Sequence, residues 1–136
     1  MNNSPLYRVV TLSDCMGDPA TVAWMLSAGV NLPDTIPPGR YPTPNELQTI
    51  LDTIPGLQVH FTITPAVWVA DLISRKDITW ATLAVRDYSG DPEQPHHFIF
   101  QGGWDEVILL VCAELVKICG PLVLLHDSGA PPALVL

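Results

Sequence analysis

The sequence predicts an α+β fold, a single mixed, largely antiparallel β-sheet with helices packed on it. Three observations carry this. The run His96–Asp127, HHFIFQGGWDEVILLVCAELVKICGPLVLLHD, reads as strand, tight turn, helix and strand without slack. Three prolines follow directly on capping residues, at Asp18-Pro19, Thr43-Pro44 and Thr64-Pro65, and each pair marks a helix start. The segment SGDPEQP separates two strand-like stretches, so it demands at least one antiparallel pair. The expected order is βααβαββαββ, and 136 residues make one domain, 1–136.

Tyr7–Leu12 opens the sheet. A first helix runs from Pro19 to about Ala28, with Val22, Met25 and Leu26 inward and Gly29 as its stop. Asn31–Pro42 is an irregular loop. The second helix starts at Thr43, where Glu46 completes a capping box, and Leu47, Ile50, Leu51 and Ile54 follow at helical spacing to Pro55-Gly56. Gln58–Ile63 alternates, which puts Val59, Phe61 and Ile63 inward and His60 outward. From Pro65 to about Arg75, Trp68, Val69, Leu72 and Ile73 make a helical stripe, so a third helix is expected, although Val67–Val69 have strand propensity. Thr79–Tyr88 and His96–Gln101 form a hairpin. The fourth helix, Trp104–Cys119, buries Trp104, Val107, Ile108, Val111, Leu115, Ile118 and Cys119, ends at Gly120-Pro121, and is apolar enough to be covered on more than one side. Leu122–His126 and Ala133–Leu136 close the fold around the turn DSGAPP.

The charge balance excludes some classes of function. The net charge is −8, from 14 acidic and 6 basic residues, and the cations Arg8, Arg40, Arg75, Lys76, Arg86 and Lys117 are scattered. Nucleic-acid binding needs a basic stripe, so it is not expected. An acidic body suits a basic partner or none at all, since net charge also serves solubility alone. A hydrophobic fraction of 48% with only 15% charged residues argues for a packed core and leaves room for a self-association interface. The apolar run Val107–Leu125 carries Glu114, Lys117 and a Gly-Pro break, so it reads as core and not as a membrane span. MNNSPLYRVV has neither a basic region nor an apolar one, so no signal peptide is expected and the expected setting is cytoplasmic.

The groups able to carry chemistry lack specific spacing. Three cysteines, Cys15, Cys112 and Cys119, contain no CxxC. Cys112 and Cys119 lie about 10 Å apart on one helix face, beyond disulfide reach. His60, His96 and His126 are the candidate metal ligands, with Asp87 and Asp127 as added carboxylates. Adjacent His96 and His97 point to opposite faces of a strand, and no HExxH is present. Cys15, in the loop SDCMGDP, could pair with a histidine as a nucleophile, but Asp14 and Asp18 would raise its pKa. His126, Asp127 and Ser128 have the residue types of a triad, yet contiguous residues make a turn more simply. Gly102-Gly103 precedes a helix but leads into Asp105 and Glu106, which would repel a phosphate. No cofactor is expected. Trp68, Trp80 and Trp24 are the candidate interface anchors.

The layout of the opening strand Tyr7–Leu12, the helix ending at Gly29 and the closing unit Gly102–Leu136 resembles small bacterial immunity proteins, the antitoxins of polymorphic toxin systems. The resemblance covers most of the chain and transfers no residue. It implies a non-enzymatic protein-binding module that blocks a partner protein. Two other readings stand beside it. One is a small metal-assisted or Cys/His hydrolase using His126, Asp127 and Cys15. The other is a structural homo-oligomer subunit, most simply a dimer. The expected partner is therefore a protein or a second copy of the chain, with no nucleic acid and no membrane.

Overall fold

A computed structural model describes residues 6–76 and 78–136. The element order is β1 (Tyr7–Thr11), α1 (Leu12–Cys15), α2 (Pro19–Ser27), α3 (Pro44–Thr53), β2 (Leu57–Ile63), β3 (Trp68–Ser74), β4 (Trp80–Val85), β5 (Phe98–Gly103), α4 (Asp105–Cys119), β6 (Leu122–His126) and β7 (Ala133–Val135). The strands form one seven-stranded sheet in the order β2-β3-β4-β5-β1-β6-β7. Every pair in it is antiparallel. The expected α+β architecture is thus present, with the sheet wholly antiparallel among the described residues.

Several local signals work as the sequence implies. Asp18 caps α2 by accepting from the Ala20 N–H, with Pro19 at the first helical position. Thr43 and Glu46 form the reciprocal capping box of α3. Leu47, Leu51 and Ile54 bury the face that α3 turns to the sheet. α4 lies over the same side. Val107, Ile108, Val111, Cys112 and Leu115 meet Phe98, Phe100, Leu83 and Leu72 in the main core. The opposite side carries a smaller cluster, in which Leu12, Cys15 and Met25 cover Val123, with Val10 and Leu125 packed against it.

The segment expected as a third helix is strand β3. Thr64-Pro65-Ala66-Val67 is a hairpin turn: Thr64 and Val67 exchange backbone bonds, and the Thr64 hydroxyl accepts from the Ala66 N–H. Proline fits the turn as well as it fits a helix start. Beyond it, Trp68, Ala70 and Leu72 are buried while Asp71 and Ile73 are exposed, a period of two. Pairing on both sides, with β2 and β4, outweighs the local helical spacing.

Other expectations change for reasons of position. β2 is an edge strand, so Ile63 stays 45% exposed while Val59 and Phe61 pack against the core. On α2 only Met25 is buried; Val22 is half-buried and Leu26 exposed, because the helix meets the sheet along a narrow line. On α4, Trp104 is exposed and Ile118 half-buried, and Leu109 and Leu110 also face outward. Among the described residues the helix is covered by the sheet and touched by α3, and Leu109 and Leu110 on its outer face are exposed. α1, a single turn capped by the Thr11 hydroxyl, has no counterpart in the expected order.

Gly102-Gly103 serves the sheet. The β4–β5 register shifts at Thr82/Leu83, leaving Gln101 as the extra residue of a bulge. Gly103 has φ +134°, and a Cβ there would lie 2.4 Å from the Ala81 Cα. Only glycine permits this approach.

Candidate functional site

Helices α3 and α4 cover one side of the sheet, and α1 and α2 cover only the β1–β6 end of the other. Among the described residues the reverse side of β2 to β5 carries no helix and is the open face of the sheet. Strand alternation decides which residues it presents. They are Val69, Asp71 and Ile73 from β3, Trp80 and Thr82 from β4, Ile99 from β5, and Gln58, His60 and Thr62 from β2. The register aligns them in cross-strand rows: Gln58, Ile73 and Trp80 in one, His60, Asp71 and Thr82 in the next, and Thr62, Val69 and Ile99 in the third, with the buried Ala84 between Val69 and Ile99 and Arg8 beyond them. Ile73 and Trp80 are neighbours and are 43% and 40% exposed. Asp71 lies exposed in the middle row, and the Thr82 hydroxyl donates to its Oδ1 at 3.0 Å. One carboxylate oxygen is thereby oriented and the other is free among the described residues.

Beside this face, where α1 and α2 lean on the sheet, is a cleft of about 270 Å³ lined by Arg8, Asp14, Cys15, Asp18, Tyr41 and His97, among others. Tyr41 organises it. Its hydroxyl accepts from the Thr11 N–H at 3.2 Å and donates to Asp14 Oδ2 at 2.8 Å, and its ring stacks on His97 with centroids 4.0 Å apart. Burial and then the Asp14 carboxylate push the Tyr41 hydroxyl up to about 12, so it remains a donor.

Cys15 lines this cleft but is not set up as a nucleophile. It is buried, and burial followed by the carboxylates of Asp14 and Asp18 raises its pKa, against which Arg8 acts only in part. A neutral thiol attacks poorly. Among the described residues no hydrogen bond joins Cys15 to His97, whose ring lies against Tyr41. Cys112 and Cys119 are also free and buried, and burial pushes them up to about 12 and about 11.

The remaining candidates do not converge. His126 and Asp127 stand at the far end of the β1–β6 ladder from Cys15: Tyr7 pairs with His126, and Thr11, where α1 begins, pairs with Leu122. His126 Nδ1 accepts from the Ser128 N–H at 3.0 Å and lies 2.6 Å from the Ser128 Oγ, so the contiguous trio closes a turn. Asp127 Oδ1 is 3.4 Å from the same nitrogen. His60 sits on edge strand β2, five strands from His126 on β6, a separation of about 24 Å at the usual strand spacing. His96 Nδ1 donates to the Gln94 carbonyl at 2.6 Å within the β4–β5 connection. Among the described residues no three His, Cys, Asp or Glu side chains gather as a metal site.

Of the three tryptophans expected at an interface, Trp68 is corrected: it is 2% exposed and fills the core, edge-on to Phe61. Its place as the first inward residue of β3 removes it from any surface. Trp80 is on the open face, and Trp24 on α2 is also exposed. Reading 65–75 as a helix hid the outward set Val69, Asp71 and Ile73. The sequence signal available was the strand propensity of Val67–Val69 after Thr64-Pro65; WVADLI has a single polar residue, so the alternation from Trp68 to Ile73 shows only in the burial. Tyr41, in a proline-rich loop, carries no sequence signal for its role.

Comparison with protein-family models, curated proteins and solved structures finds no match. No helix among the described residues is long and apolar enough to cross a membrane.

Proposed function

We propose that this chain is a non-enzymatic protein-binding module that works as immunity proteins do, by covering and blocking a partner protein. The open face of β2 to β5 is the observation that supports it. A centre of Trp80 and Ile73, next to the fixed carboxylate of Asp71 and flanked on the β2 side by Gln58, His60 and Thr62, has the apolar core and a polar margin of a protein interface. The net charge of −8 suits a basic partner, whose Arg or Lys would meet Asp71 with its stem on Trp80. Three free, buried cysteines accord with a cytoplasmic setting.

The test is native mass spectrometry of the protein isolated from its own host, followed by titration of the partner so identified. A stoichiometric second protein is expected, with binding weakened at least about tenfold by Trp80→Ala as for an interface anchor. Asp71→Asn should lower affinity and the salt dependence together. Full affinity in a Trp80→Ala, Asp71→Asn double variant, or a stoichiometric metal or small molecule in place of a protein, overturns the reading and sends attention to the cleft around Tyr41.

A further inference from the structure

The two edges of the sheet are built differently. β7 has only three residues and follows Pro131-Pro132, which blunts that edge. β2 is seven residues long, LQVHFTI, with no proline, no Asp, Glu, Lys or Arg and no register shift along its pairing with β3. None of the usual devices that keep an edge strand single is present on it.

The direction of its backbone groups follows from the hairpin. Thr64 and Val67 exchange bonds at one end, and the Arg75 N–H donates to the Gly56 carbonyl at the other. In an antiparallel ladder the bonded pairs recur every second residue. Gln58, His60 and Thr62 therefore bond to β3, and Leu57, Val59, Phe61 and Ile63 turn their N–H and C=O groups away from the sheet. The Leu57 N–H reaches the Ile54 carbonyl at 3.4 Å. Among the described residues the groups of Val59, Phe61 and Ile63 meet no other backbone.

We infer that this edge pairs with β2 of a second copy, antiparallel, about a two-fold axis through His60 normal to the sheet. The strand is complementary to itself in that register. Val59 faces Phe61 of the second copy as a bonded pair, and Leu57 faces Ile63. Gln58 faces Thr62, and His60 meets its own mate in the closer, non-bonded position. Every side chain stays on its proper side. The apolar residues continue the main core side, which covers the exposed Ile63, and the polar ones continue the open face. A register that pairs the whole strand with like faces together is what an isologous interface requires. The two open faces then form one continuous platform. This inference does not depend on the identity of any other partner.

Sedimentation of the purified chain at micromolar concentration tests it. A species of twice the 14.8 kDa chain mass is expected. Val59→Pro removes an outward N–H without touching the β2–β3 bonds, and should yield a folded monomer by circular dichroism. His60→Lys sets two ammonium groups across the axis and should weaken the dimer about fivefold at low salt, recovering at high salt. His60→Cys should form an intermolecular disulfide under mild oxidation and Thr62→Cys should not, since only residue 60 faces itself. A monomer at all concentrations, a dimer that survives Val59→Pro, or equal cross-linking at 60 and 62 overturns the inference. A different protein seated on β2 in place of the second copy does so as well.

Discussion

Tyr41 lies flat against His97, ring centroids 4.0 Å apart and planes 26° from parallel, and from there ties the loop after α2 to the first turn of the chain. Its hydroxyl is the partner of the Thr11 N–H, which belongs to a residue only 1% exposed. Tyr41→Phe leaves that buried donor unsatisfied while keeping the stacked ring. A loss of about 1–2 kcal/mol in urea denaturation is expected. An unchanged midpoint would show that water replaces the hydroxyl at no cost.

The Arg40 guanidinium donates to both oxygens of Glu46, at 2.8 and 2.6 Å, and with the capping bond from the Thr43 N–H holds the Glu46 carboxyl down at about 2. A carboxylate depressed in the folded state contributes stability that is complete above its ordinary 4.5 and is lost as pH falls through the window toward 2. The pair is partly exposed, so screening limits its worth to about 1 kcal/mol or less. Stability followed from pH 7 downward should drop across this window, and Arg40→Ala should flatten the drop. Equal slopes in the two proteins would remove Glu46 from the account.

Trp68 and Leu26 part company, although helical spacing sets both on an apolar stripe. Trp68 is buried among the core residues and Leu26 is 57% exposed. Trp68→Ala should cost about 3–5 kcal/mol, and Leu26→Ala should stay within about 0.5 kcal/mol. Thermal or chemical unfolding of the two variants reads this directly. A reversal of the order would contradict the burial of Trp68 in the core.

Gly103→Ala should be among the most damaging single changes. The added methyl would lie 2.5 Å from the Ala81 Cβ and 2.6 Å from the Trp80 carbonyl, at a φ that other residues rarely adopt. A destabilisation above about 2 kcal/mol is expected, seen as a lower unfolding midpoint. The Trp104 N–H bond to the Trp80 carbonyl, at 2.7 Å, should break with it and loosen the start of α4. A variant as stable as the parent would mean that β4 and β5 can part locally.

The elements readable in the sequence are those whose signals are local and chemically exclusive. Asp18-Pro19 and the Thr43/Glu46 box start helices because a side-chain oxygen meets free N–H groups a few bonds away. Gly120 ends α4 through an equally local property, a positive φ of 77° that glycine adopts without strain. Thr64-Pro65 looks like the same signal and begins no helix, since proline and threonine serve a hairpin turn equally well. The candidate site was legible only in part. Trp80 was singled out, but its neighbours Ile73 and Asp71 were hidden by the helical reading, and Trp68 proved to be core.

By itself, then, the sequence determined the α+β class, the capped starts of α2 and α3 and an acidic chain without a basic stripe, because these follow from composition and from contacts a few residues long. The tertiary structure alone decided which face of β2 to β5 lies open, that β2 is an unguarded edge, that His60 and His126 stand at distant strands, and that Tyr41 closes onto Asp14 and His97. Each of these depends on strand order and register. Those are set by the competition of whole strands for the core and by the entropy of closing long loops, which no short stretch of sequence encodes.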